Sequence, residues 1–194
     1  VRIEGTIERP FLDVMDELCK DKKAKMLPNI RKDSETTINK NLLKAYEVIR
    51  AKVKIQSQVK HQIEKVFLEV VPSIDKLLKL SSENKITEKH FNELLKITKK
   101  IDKLKDVIAK KSYQKYIENV IQISVYYQEL ELAKITVAPG DTTIQKVKKL
   151  LDWVEMHKYW MFSAAGGLNA DIEVTKKASK SLVAELKKRK LITK

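Results

Sequence analysis

Three histidines, one cysteine and a few clustered carboxylates are what this chain offers to chemistry. His61, His90 and His157 are far apart, and none stands four residues from another, so no helical face presents the paired ligands of a zinc site. No Glu lies three residues before a His, so the di-metal carboxylate pattern of helical bundles is missing. The segment from His61 to Glu64 is one helical pair and not a site, and the histidines are expected in solvated or capping roles. Cys19 falls on the apolar side of a short helix with no His near it in sequence, which reads as a buried structural thiol. Asp13, Asp16 and Glu17 share part of that helix as a solvated face. Gly166-Gly167 can form an anion-binding backbone nest, although a plain helix stop accounts for them. No P-loop, G-x-S-x-G or G-x-G-x-x-G occurs. Catalytic residues, metals and cofactors are therefore all expected to be none, and the chain reads as non-enzymatic.

Charge carries more information. The net charge is +14, which points to an anionic partner: nucleic acid, an anionic membrane surface or an acidic protein. The plainer reading of the charge is a lysine-rich surface bias. Between Lys96 and Lys115 eight lysines face only Asp102 and Asp106. On a helical wheel Lys96, Lys100, Lys103, Lys110 and Lys111 fall opposite the apolar side, as one basic stripe. The C-terminal segment TKKASKSLVAELKKRKLITK adds Lys176, Lys177, Lys180, Lys187, Lys188, Arg189 and Lys190 against Glu185 alone. Lysines in such faces contact phosphates and give salt-dependent affinity without reading base sequence. Aromatics interleaved with lysines, as in Lys158-Tyr159-Trp160, fit single-strand stacking loosely and a helical core better.

That C-terminal segment, with its small polar start, central Leu182-Val183 and Leu186, and basic close, resembles the recognition helix of winged-helix and helix-turn-helix proteins over about 20 residues. The resemblance implies that Lys176, Lys177, Lys180 and Ser181 face DNA in the major groove, with the helix from Ile144 and the Gly166-Gly167 pair before it.

The elements that must position these cations are helical. The stretch from Ser34 to Val71 has neither Pro nor Gly, and its apolar residues recur at helical spacing: Ile38, Leu42, Ala45, Ile49, Val53, Val59, Ile63, Val66, Val70. One helix of roughly 50 Å is expected there. Its cap is Asp33 or Ser34, and Pro72 is expected to end or kink it. A helix from Thr87 to about Lys111 follows, its apolar side formed by Phe91, Leu94, Leu95, Thr98, Ile101, Leu104 and Ile108. The Lys110-Lys111-Ser112 junction is a bend or, better for packing, a reversal. Ala138-Pro139-Gly140-Asp141 is the clearest punctuation, with Asp141 as an N-cap. Two helices follow, separated at Gly166-Gly167: the first buries Ile144, Val147, Leu150, Leu151, Val154 and Met161, with Trp153 more lateral. At the N-terminus, Pro10 opens a short helix. Residues 1–7 and 134–137 can pair as a minor two-stranded β-ribbon, or with a second copy.

The expected fold is thus all-α: an elongated antiparallel helical bundle with a long central helix and a C-terminal helical pair. It divides into a bundle over residues 1–138 and a basic C-terminal unit over 139–194. No apolar run approaches the length of a membrane span, and the lone cysteine suits a reducing, cytoplasmic setting. The expected function is a nucleic-acid-binding or nucleic-acid-processing accessory protein, sequence-nonspecific, with a protein partner or homo-oligomer plausible beside it. The alternative is a helical scaffold or assembly protein, acting in solution or on an anionic membrane surface.

Overall fold

The computed structural model describes residues 35–117, 123, 126–128, 130 and 138–193. The described residues form helices: α1 (Glu35–Ser82), a short 3-10 turn (Glu88–His90), α2 (Phe91–Ile108), α3 (Lys111–Ile117) and α4 (Thr143–Lys188). There is no strand among them. The ribbon, the Pro10 helix, the helix cap at Asp33 or Ser34, Cys19 and the Asp13, Asp16, Glu17 cluster lie outside the described residues.

Both long helices continue where local breakers predict an end. Pro72 sits inside α1. A proline removes one backbone donor, so the carbonyl four residues earlier loses its partner. That carbonyl belongs to Leu68, whose residue is 72% exposed, and Pro72 is exposed too, so water replaces the missing bond at little cost. Val70, Ile74 and Leu77 are fully buried around it and hold the helix on its core. Gly166-Gly167 likewise lies within α4, so one helix of 46 residues replaces the expected C-terminal pair. A mid-helix glycine costs about 1 kcal/mol relative to alanine. Burial of Ala164 and Leu168 on either side of the pair, and of Ile172 beyond it, outweighs that cost.

Contacts divide the chain into two units, Val1–Ile55 with Asp171–Lys194, and Gln56–Ala170. The punctuation at residues 138–141 falls inside the second. In the first unit, Ile38, Leu42, Ala45 and Ile49 of α1 form a buried cluster with Ala178, Leu182 and Leu186 of α4. Arg189 donates to Asn39 at 3.0 Å and Lys52 meets Asp171 at 3.6 Å, so the two helices run antiparallel there. The end of α4 is a Schellman motif: Lys190 takes a left-handed φ of 57°, and the Leu191 N–H reaches the Leu186 carbonyl at 2.9 Å. Leu191 and Ile192 then pack back on the cluster.

In the second unit α2 runs antiparallel to α1, with Lys76 at 4.0 Å from Glu93 and Lys100 at 3.8 Å from Glu69. α4 is antiparallel to α1 as well, through Lys158 with Asp75, Lys60 with Asn169 at 3.1 Å, and the Phe67 and Phe162 rings at 6.3 Å. Ile97 takes the buried place on α2 that Thr98 was expected to fill, and Thr98 turns its hydroxyl to the Leu94 carbonyl at 2.8 Å. Gln56 is wholly buried and donates to the Tyr116 carbonyl at 2.9 Å, which ties α3 to α1. By Tyr126 the chain has returned beside His157, next to the Lys158–Asp75 pair, so a reversal does follow α2.

Candidate nucleic-acid interface

The histidines settle into three different settings. His61 is exposed. His90 closes a capping turn, its Nδ1 accepting the Thr87 N–H at 3.0 Å. His157 is fully buried, neither solvated nor a cap: its Nδ1 lies 2.8 Å from the Trp153 carbonyl, and its ring stacks on Trp153 at 3.8 Å. Trp153 is accordingly core and not lateral, at 3% exposure. Tyr126 completes this cluster, and burial, helped by the negative charge of Asp102, pushes its phenol far above the ordinary value. Among the described residues no group of three or more potential metal ligands gathers, and no helix is long and apolar enough to cross a membrane.

The expected cations are displayed as follows. On α2 and at its end, Lys96, Lys100, Lys103, Lys110 and Lys111 are all exposed. Lys100 shares Glu69, and Lys110 lies over the Tyr113 ring at 5.3 Å. Exposed pairs of this kind hold loosely, so the ammonium groups can exchange partners. On α4, Lys176, Lys177, Lys180, Lys187, Lys188 and Lys190 are also exposed. Lys187 and Lys188 occupy the last turn, where cations also offset the helix dipole. Arg189 differs from the rest. Its guanidinium is held by Glu185 at 2.8 Å and Asn39 at 3.0 Å, with a side chain 11% exposed, so it serves the first unit's packing.

The first unit also joins two of the α4 lysines to α1 residues that the sequence did not single out. Lys176, Ser179 and Lys180 line an open groove of about 700 Å³ together with Glu47, Arg50, Ala51, Val53 and Lys54. Arg50 is steadied by the Tyr46 ring, 5.5 Å beneath its guanidinium carbon. Lys176 shares Glu173 at 3.7 Å, while Lys54 and Lys180 pair with no carboxylate among the described residues. The signal available in the sequence was the i, i+4 spacing of Arg50 with Lys54 and of Lys176 with Lys180. What sequence could not supply is the register that brings the two pairs to one groove.

A second open groove, of about 460 Å³, belongs to the second unit and is mostly apolar, with Lys60, Glu64 and Asn169 also in its lining. Phe67, Leu68, Met161, Phe162 and Ala165 line it, with Leu68 and Phe162 72% and 66% exposed.

Comparison with protein-family models, with curated proteins and with solved structures finds no match for this chain.

Proposed function

We propose that this chain is a non-enzymatic nucleic-acid-binding accessory protein that works in the cytoplasm. Its helices form antiparallel bundles within each unit and present lysine-rich faces to phosphates. The observation that supports this reading is the exposure of every expected lysine, on α2 and on α4 alike, in a chain of net charge +14. Cations set on rigid helices meet a polyanion at little entropic cost, and the released counterions drive association without regard to base sequence. The likeness of residues 175–194 to a recognition helix enters as one such basic face.

Fluorescence anisotropy of labelled single-stranded and duplex oligonucleotides, titrated at two salt concentrations, tests the reading. Micromolar or tighter binding that weakens steeply with salt is expected. Charge reversal at Lys187, Lys188 and Lys190 should lower the affinity further. Absence of binding at about 50 mM salt, a condition that favours charge effects, would reject it.

A second reading, a helical scaffold or assembly protein, draws support from the exposed Leu68 and Phe162 beside the apolar groove. Light scattering coupled to size exclusion tests it, and a strictly monomeric protein at high concentration would count against it.

A further inference from the structure

We propose that the basic groove of the first unit holds the backbone of single-stranded nucleic acid, gripping consecutive phosphates from both walls; this rests on the nucleic-acid reading above. Arg50 and Lys54 stand one turn apart on α1, and Lys176 and Lys180 one turn apart on α4. Each pair spans about 6 Å along its helix. The antiparallel register, with Lys52 at Asp171 and Arg189 at Asn39, sets Arg50 nearly level with Lys176 and puts Lys54 and Lys180 toward opposite ends of the groove. The groove has a volume of about 700 Å³, whereas the major groove of a duplex alone is about 12 Å wide and about 8.5 Å deep. A duplex therefore rests on the rim, and a single backbone fits between the walls.

The lining also says what is read. Among the described residues, four cations and one carboxylate, Glu47, line the groove beside Ala51 and Val53, and Lys176 also shares Glu173 at 3.7 Å. Among the described residues Ser179 is the neutral polar side chain in the lining, and lysine and arginine there chiefly offer charge to phosphates. Phosphate charge and spacing are what the groove can sense, so binding is independent of sequence. Glu47 lies one turn before Arg50, where a carboxylate opposes a phosphate.

The experiment uses the full chain, with Lys54→Gln/Lys180→Gln as the loss variant and Glu47→Gln as the gain variant. Neither lysine shares a carboxylate among the described residues, so the pair can be neutralised without stranding a partner. Circular dichroism verifies the fold, and anisotropy with a labelled oligothymidine and a mixed-sequence duplex of equal length reads the binding. For the single strand, losing two phosphate contacts should lower the slope of log K against log salt by about 1.4 and weaken binding at 0.1 M salt roughly 20-fold. Glu47→Gln should tighten single-strand binding, a gain that a damaged fold would not produce. Wild-type binding with an unchanged slope in the loss variant would overturn the groove while leaving the proposed function standing. Wild-type protein that binds neither probe would overturn both. Duplex affinity equal to or above that of the single strand, with the same loss, would overturn the single-strand assignment. Linear polyphosphate shares the chemistry of a phosphate chain; if it displaces the oligonucleotide at lower phosphate concentration than unlabelled oligothymidine does, polyphosphate is the ligand and the assignment falls.

Discussion

Tyr126 shows how an individual side chain can be held by packing at a cost in polar satisfaction. Its ring is fully buried against His157, yet its hydroxyl is buried with no hydrogen-bond partner among the described residues. A buried, unpaired hydroxyl costs about 1–3 kcal/mol, whereas an apolar replacement of the same shape does not. Tyr126→Phe should therefore raise stability by about 1 kcal/mol in urea unfolding. A loss would mean that the hydroxyl has a partner. Asp141 is the opposite case, a surface carboxylate that is well served. It accepts from Lys149 at 2.7 Å and from the Ala138 N–H at 2.9 Å, which hold its carboxyl below the ordinary 3.8. The contribution of a carboxylate so lowered is present above 3.8 and is lost as pH falls through its folded value. Asp141→Asn should flatten the acid side of the stability profile below that point, read as amide exchange in the first turn of α4. An acid limb that the substitution leaves unchanged would show that the contacts of Asp141 carry no stability.

At the scale of elements, α4 is the helix that local rules describe least well. It begins at a capping box, with the Thr142 hydroxyl 3.3 Å from the Gln145 N–H and Gln145 Oε1 at 2.8 Å from the Thr142 N–H. The cap is thus Thr142, one residue beyond the expected Asp141, which is occupied by the preceding turn. The helix then passes through Gly166, where an added Cβ would meet nothing within 4 Å. Gly166→Ala should raise the thermal midpoint, with a gain of about 1 kcal/mol; a fall would show that the backbone at Gly166 is needed bare. The helical character of α1 and α2 was legible because their apolar residues repeat over many turns: Ile38, Leu42, Ala45, Ile49 and Leu94, Ile101, Leu104, Ile108 are all buried. The ends of α1 and of the first C-terminal helix were not. Proline and glycine weigh on one turn, while the buried residues on either side of Pro72 and Gly166 act over the whole helix, and that balance is set by tertiary packing.

The whole molecule places cations that the sequence holds more than a hundred residues apart. The α2 stripe could be read from one helix alone, and its lysines are all exposed. Arg189 looked the same in a list of charges, but Asn39, 150 residues away, helps to claim it for the core of the first unit. Arg50 and Lys54 were passed over for the converse reason: on α1 they are two cations among many, and only the register against Lys176 and Lys180 makes a groove of them. The exposed Leu68 and Phe162 carry a consequence of another kind. In dilute buffer the charge of +14 keeps copies of the chain apart, as in a charge-stabilised colloid. Added salt shortens the range of that repulsion to about 3 Å at 1 M and leaves the apolar patches sticky. The second virial coefficient from static light scattering should therefore change from positive to negative as salt rises. Leu68→Ser/Phe162→Ser should delay that change; a coefficient that stays positive to 1 M would mean that the patches are inert. On the proposed function, added salt should thus have two opposite effects on this protein: releasing the polyanion and drawing the chains together.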